Sequence, residues 1–491
     1  MGEAYHGGIP LFNASIRIEA RPERLSSDGG ALLLREAAGV TGIFGWLDDN
    51  LEDDRDPELI THPQHELVAT SLLLMAQGWR DQDDADALRD DPIFRLAVSS
   101  RRGVGPLMPA PPKEPGERGG TPDGLASQPT LSRMFRRLSS ETNRAVSRTG
   151  LIVQTGRRLR AMNGGRELDV VGLDIDSLPV EVEGHQEGSA YNGHYHARIY
   201  HPLVASLGDY GDIVDVRLRE GTVHTAEGAL EFVLPLVDAL EAHVCELAFV
   251  RMDAGFPADP LLCGLEDRKG GTPYVARVRS NRRLDKLSGP ILQRPEVLGL
   301  KPGEEAFAEF RYEAGTWTRE RRVVLVVVRA DGQLIPNHFW LITNWTTEQM
   351  TGPALLDLYR RRGCAEHLMG EWMNVIEPAL SSAKRTKSHY RGFAPMVRTP
   401  AGDSFAINEA ILLFSALAYN LAHSLRAMMA AETGERWSLQ RLRERVLKTA
   451  VRVLVHARRA TVVIAAGSAK PWSALWNQLA RLRPVPGGRT A

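Results

Sequence analysis

The sequence predicts an α/β catalytic core, a mixed sheet with flanking helices, interrupted by an antiparallel β insertion and bracketed by helical N-terminal and C-terminal regions. Three observations predict it. Between about residues 168 and 278, short apolar strands alternate with an amphipathic helix; from 284 to 346 the chain turns β-branched and aromatic; on either side, apolar residues recur at helical spacing. At 491 residues the chain is too long for one hydrophobic core, and 43% apolar with 25% charged residues is the composition of a soluble globular protein.

Residues 27 to 100 read as helical. SDGGALLLREAAGVTG places a Ser/Asp start and a Gly stop around an apolar run, and HPQHELVATSLLLMAQGW repeats the pattern up to Gly78. GWRDQDDADALRDDPIFRLAV follows, its acids reading as a solvated face. Residues 103–126 are dense in proline and glycine and read as a flexible loop. In SQPTLSRMFRRL a helix would expose Ser132, Arg133, Arg136 and Arg137, hydroxyls and guanidiniums suited to phosphates and base edges. An ordinary basic surface helix has the same pattern. Residues 1–160 are thus expected to form a helical DNA-binding region.

The first part of the core is expected over 165–283. LDVVGLDIDS is a strand with Val171, Leu173 and Ile175 on one face and Asp174 and Asp176 on the other. ARIYHPLVASL and DIVDVRL are the next strands, and a helix follows from about 226 to 243 despite Pro235. ELAFVRMDAGF is a strand ending in Asp253, with Gly255 opening the turn; LLCGLEDR is a short helix and TPYVARV a fifth strand. Three strands, a helix, a strand, a helix and a strand, with acids on the first and fourth strands, is the order of the ribonuclease H-like fold. The insertion spans 284–346, with turns at Ala314–Gly315 and Asp331–Gly332. The second part of the core, 347–400, carries LDLYRRRGCAEHLMGEWMN, a helix that would hold Tyr359, Arg362 and Glu366 within about 60° of arc. The region 401–491 is expected to be helical, including a basic helix SLQRLRERVLKTAVRVLVHARRA.

Sixty basic and sixty-one acidic residues give a net charge of −1, which neither demands nor excludes a nucleic-acid partner. Three separated cysteines, Cys245, Cys263 and Cys364, argue against a disulfide framework or a structural zinc site and fit a reducing cytoplasm. The first residues carry no basic-then-apolar pattern, so no signal peptide is expected, and no uncharged apolar run is long enough to predict a membrane span.

Asp176, Asp253 and Glu366, on three separate elements, suit a site for two divalent cations. All-oxygen ligands match Mg²⁺ or Mn²⁺, and two such ions can activate a nucleophile and stabilise the leaving oxygen at a phosphodiester. Arg360, Arg361, Arg362, Lys384, Arg385 and Lys387 would counter the repulsion between those acids and DNA. His194 and His196, two residues apart, could ligate a metal; hydrogen-bonded histidines near substrate fit the pattern better.

The ordered set GWRDQDDADALRDDPIFRLAV, LASQPTLSRMFRRL, LDIDS with GHQEGSAYNGHYHARIYHPL, VRMDAGF and YRRRGCAEHLMGE resembles the DDE transposases of bacterial insertion sequences, most closely insertion-sequence family 1380, over roughly residues 25–440. The resemblance implies Asp176, Asp253 and Glu366 as catalytic metal ligands. It favours Asp176 over Asp174, a possible extra ligand, because a small residue, Ser177, follows. It also implies Tyr359 and Arg362 as DNA contacts of a Tyr–Arg–Glu–Lys signature, and two Mg²⁺ ions per site, replaceable by Mn²⁺. Trp317 and Trp340 lie in the insertion, where related enzymes stack an aromatic on a flipped base; core packing is the other reading for both. The partners implied are double-stranded DNA, as terminal inverted repeats and target, and a second copy of the chain in the synapse, with no membrane. The chain departs from the family at Met373, where the signature has lysine, and at Leu178, where threonine is usual. Those departures leave open an impaired, DNA-binding derivative; a nuclease without strand transfer is a further alternative.

Overall fold

One face of the strand Val170–Ser177 (β1) is apolar and the other acidic, and the core is built on that division. The computed structural model describes residues 8–112, 119–184, 186–333, 335–382 and 404–483. Leu203–Leu207 (β2) and Ile213–Arg217 (β3) follow, then the helix Ala229–His243, the strand Glu246–Met252 (β4) and Tyr274–Val278 (β5). Strands Glu305–Tyr312 (β6), Arg321–Val328 (β7) and Asn337–Thr343 (β8) complete one eight-stranded mixed sheet in the order β6-β7-β8-β5-β4-β1-β2-β3. β1 pairs parallel with β4, and β4 with β5, while every other pairing is antiparallel. Val171, Leu173 and Ile175 bury against Phe232, Val233 and Val237 of the 229–243 helix, so Asp174 and Asp176 face the opposite layer.

Two expectations about the strands are corrected. The β-rich segment is an antiparallel meander as read, but β8 pairs with β5, so it widens the main sheet. ARIYHPLVASL divides in two: Ala197–Tyr200 belongs to a separate three-stranded sheet with Val180–Glu181 and Ala190–Asn192, and only Leu203–Leu207 enters the large one. The break falls at His201–Pro202, where proline cannot donate to a ladder.

The helices Ala31–Thr41 (α1), Gln64–Ala76 (α2), Gln128–Leu138 (α3) and Glu141–Met162 (α4) surround a long apolar helix from the other end of the chain, Ser404–Thr433 (α5). That helix is long and apolar enough to cross a membrane by length and composition, but 89% of its most apolar window is buried inside the protein. N-terminal and C-terminal regions therefore share one hydrophobic core. The two ends are also stitched directly. Gly29 and Gly30 N–H groups donate to the carbonyls of Thr449 and Leu447 at 3.0 and 3.1 Å, and Lys448 Nζ lies 2.6 Å from the fully buried Asp28. A Cβ on Gly30 would sit 2.3 Å from the Leu447 Cα, so only glycine allows this approach. The expected basic helix at 438–460 is corrected too. Helical turns end by Leu447, and Val451–His456 and Arg459–Ile464 form an antiparallel hairpin beside the short strand Leu25–Ser26. Valines at 451, 453 and 455 alternate as in a strand, a period-2 signal that the neighbouring arginines concealed.

Buried ions join the helical layer to the sheet. Arg144 and Arg148 of α4 both pair with Glu409, which also accepts the Leu218 N–H at 3.2 Å, and Arg148 Nε lies 3.3 Å from Asp215 on β3. Burial pushes the Asp215 carboxyl up to about 6 against the pull of Arg148. Because this folded-state value exceeds the unfolded one, the native protein holds a proton that the unfolded chain has released between about pH 4 and 6. Its contribution to stability is present at low pH and is lost as pH rises through 6, by about 3 kcal/mol at most. Asp215→Asn is therefore expected to gain stability relative to the wild type at pH 7 compared with pH 4.5, read as the difference in urea midpoints at the two pH values.

Candidate active site

Asp176 stands near the end of β1 and Asp253 directly follows β4, so the parallel pairing of these strands brings the two carboxylates to adjacent C-terminal strand ends in the middle of the sheet. Asp176 Oδ1 accepts the Ser177 N–H at 2.8 Å, and Asp253 Oδ1 accepts the Gly255 N–H at 2.6 Å. Gly255 must lack a side chain here: a Cβ would meet Thr225 at 2.6 Å. Burial pushes the Asp176 carboxyl up to about 6; Arg362 and the Ser177 N–H oppose that, while the charges of Asp253 and Asp174 add to it.

The stretch that carries the third acid is two helices, Gly352–Arg360 (α6) and Arg362–Glu371 (α7), joined at Arg361. Despite that break, Tyr359, Arg362 and Glu366 line one cavity of about 370 Å³ together with Asp253, Arg277, Phe339 and Arg360. Arg362 Nη2 donates to Asp176 Oδ2 at 2.6 Å, and Nη1 donates to Glu366. The guanidinium thus stands between the first and third acids, where a shared cation would be held. Glu366 keeps about half of its side chain in solvent. Burial raises the Tyr359 phenol above its ordinary value, with Arg362 and Arg277 working against the rise.

Asp174 has another task. Its carboxylate takes both arms of Arg251, at 2.5 and 2.7 Å, and the pair is fully buried. Desolvation raises the Asp174 carboxyl and the Arg251 hydrogen bonds lower it. The remaining Arg251 nitrogen donates to the Leu358 carbonyl at 2.5 Å, one of the orphan carbonyls in the last turn of α6. Asp174, the possible extra ligand, thus has both oxygens on an arginine that also bonds the end of the helix before Arg362.

Other expected site residues scatter. Trp317 and Trp340 are both buried, as the core-packing reading has them. Trp317 packs edge-on to Tyr312 at 5.5 Å under Arg321, and Trp340 is buried with its Nε1 donating to Ser288 Oγ at 2.8 Å. On α3, Arg133 and Arg136 are exposed as expected. Arg137 instead turns inward toward Asp53, 3.5 Å away, and keeps only 15% of its side chain exposed. Arg361 is exposed, 3.6 Å from Asp209. Lys384, Arg385 and Lys387 lie outside the described residues. Met373 and Leu178 both pack against the helical core. The chain widens into a π turn over Trp372–Ile376, just after the helix that carries Glu366.

Residues that sequence reasoning missed are Arg277 and Phe339, neighbours across β5 and β8 whose side chains meet with the guanidinium 5.1 Å from the ring centre. Their placement depends on β8 pairing with β5, and no local pattern carries that. Tyr195, in the turn at 193–196, has its phenol raised by burial and by the charges of Asp176 and Asp253, which places this turn near the acids. His194 and His196 are exposed. Among the described residues no group of three or more His, Cys, Asp or Glu side chains is close enough to hold a metal ion. Glu366 is turned to Arg362.

A model of the family described as transposase DDE domain group 1 matches residues 9–486. No curated protein matches the chain. Among solved structures, the cryo-EM structure of the piggyBac transposase synaptic complex with hairpin DNA is similar at 12% identity and a TM-score of 0.36, covering 95% of this chain and 88% of that one.

Proposed function

Because the chain belongs to the transposase DDE domain family, we propose that it is the cut-and-paste transposase of a bacterial insertion sequence resembling family 1380. On this reading it acts in the bacterial cytoplasm as a homodimer on DNA. It binds terminal inverted repeats, cleaves their flanking phosphodiesters and transfers the 3′ ends to a target. The observation that carries the reading is the convergence of Asp176 and Asp253 at adjacent strand ends, with Glu366 facing them across Arg362. The strand order 3-2-1-4-5 of β1–β5 within the large sheet supports a ribonuclease H-like core at 165–283 and 347–400, extended by the 284–346 meander.

The donor set is all carboxylate and fits a hard cation, which Asp176, Asp253 and Glu366 would hold. Two bound Mg²⁺ or Mn²⁺ ions would supply nucleophile activation and leaving-oxygen stabilisation at the phosphodiester. The chain's own residues do the rest. Arg362 and Arg277 place positive charge along the cavity beside the acids, where a DNA phosphate would otherwise be repelled. Tyr359 offers a half-buried phenol on the same wall. Arg133 and Arg136 present cations for phosphates on the exposed side of α3. Met373 and Leu178 pack against the helical core.

The test is an end-labelled duplex carrying the inverted repeat that brackets the coding region, incubated with the full chain and Mg²⁺. Nicking at the repeat boundary and joining of pre-cut 3′ ends to a plasmid are the expected products. Nicking without joining would make the protein a nuclease, and binding without either in Mg²⁺ or Mn²⁺ would overturn the catalytic reading.

A further inference from the structure

The hairpin Val451–His456 (β9) and Arg459–Ile464 (β10) divides its two faces sharply. Val451 and Val453 are buried against the helical core, while Arg452, Leu454, His456, Arg459, Thr461 and Val463 share the opposite, exposed face. The two-residue turn is Ala457–Arg458, with φ of +46° and +65°. Both residues occupy the left-handed region that a tight hairpin turn requires, and neither is the glycine or asparagine that adopts it cheaply. Strain of this kind persists where the side chain is wanted.

What the turn displays is charge. Arg458 and Arg459 are exposed at the tip, and a Cβ built on Gly103 would lie 3.8 Å from the Arg458 carbonyl, which sets the Arg101–Arg102 bend beside them. Among the described residues Arg102, Arg458 and Arg459 have no carboxylate partner. Only Arg452, lower on the ribbon, is paired, to Glu23 at 3.1 Å. β10 is the free edge of its sheet, so the ribbon stands clear on that side.

We infer that this hairpin is a second DNA-docking element, a β-ribbon whose tip arginines, with Arg102, engage the phosphate backbone of a duplex away from the acid cavity. A two-stranded ribbon has the width of a major groove, and unpaired guanidiniums at its tip are complementary to phosphates. The inference rests on the transposase reading for its choice of duplex DNA over other polyanions.

The test is the affinity of the full chain for a fluorescent duplex of arbitrary sequence, measured by anisotropy across salt concentrations. Arg458→Ala/Arg459→Ala should weaken binding about tenfold near physiological salt and lower the slope of log K against log salt by about 2, one for each phosphate left without its arginine. Ala457→Asn/Arg458→Gly relaxes the turn while removing one charge. It should fold at least as well as the wild type yet show about half of that slope change, which separates charge from misfolding. Lys286→Ala/Arg294→Ala, exposed cations elsewhere, should leave both quantities unchanged. Unchanged affinity and slope in the double arginine variant, or no duplex binding by the full chain, overturns the inference. Failure of the transposase reading shows separately, as absent cleavage of the repeat end.

Discussion

Asp253→Asn is expected to abolish cleavage and joining at a transposon end, a fall of at least about 1,000-fold, while duplex affinity and thermal midpoint stay near those of the wild type. The magnitude follows from several kcal/mol of charge stabilisation that depends on an anionic ligand set, each 1.4 kcal/mol being about tenfold in rate. Asparagine keeps the size of the side chain and one oxygen to accept the Gly255 N–H, so the turn after β4 survives. Single-turnover cleavage in Mg²⁺ is the measurement; activity within tenfold of the wild type would remove Asp253 from the catalytic set.

The second large effect concerns Arg251. Arg251→Met alone strands the buried Asp174 carboxylate and should cost about 3–5 kcal/mol of stability. Asp174→Leu/Arg251→Met replaces the pair by apolar groups of similar volume and should recover most of that loss, since buried ion pairs exchange for packed side chains at little net cost. What it does not restore is the hydrogen bond to the Leu358 carbonyl. The double variant is therefore expected to be nearly as stable as the wild type and about 10–100-fold slower in cleavage, roughly the cost of losing a residue that orients a ligand-bearing element, with duplex affinity unchanged. Urea unfolding together with single-turnover rates decides it. Full activity in the stable double variant would show that the strut does not position α6 and α7.

The division between what was readable and what was not follows the range of the interactions. Alternation along LDVVGLDIDS separates Leu173 and Ile175 from Asp174 and Asp176 within one strand, and strand propensity marks all five core strands near their observed positions. Choosing between the two acids needed tertiary information: both point the same way, and the structure separates them by giving Arg251 to Asp174 and Arg362 to Asp176. The tryptophans illustrate the same limit, because nothing local distinguishes an indole that packs in a core from one that stacks on a base. Arg277 entered the cavity through sheet order, which no short window encodes. The hairpin at 451–464 was hidden by a conflict of signals: arginines and leucines at helical spacing ran into a valine alternation, and tertiary pairing with Leu25–Ser26 decided for strand.

The stitching of the two chain ends has a consequence for how the protein comes into being. Asp28 is buried against Lys448, 420 residues later, and Val453 donates to the Arg24 carbonyl at 2.8 Å. The helices at 31–76 are covered only when the 404–433 helix and the 447–453 segment arrive from far along the sequence, and such distant closures make folding slow. A product truncated before residue 447 keeps every acid of the cavity but strips from the helical core the cover given by Leu447, Val451, Val453, Leu475 and Leu479. A chain cut there is expected to aggregate more readily than one that keeps the 447–482 segment, which light scattering of the two purified proteins would check.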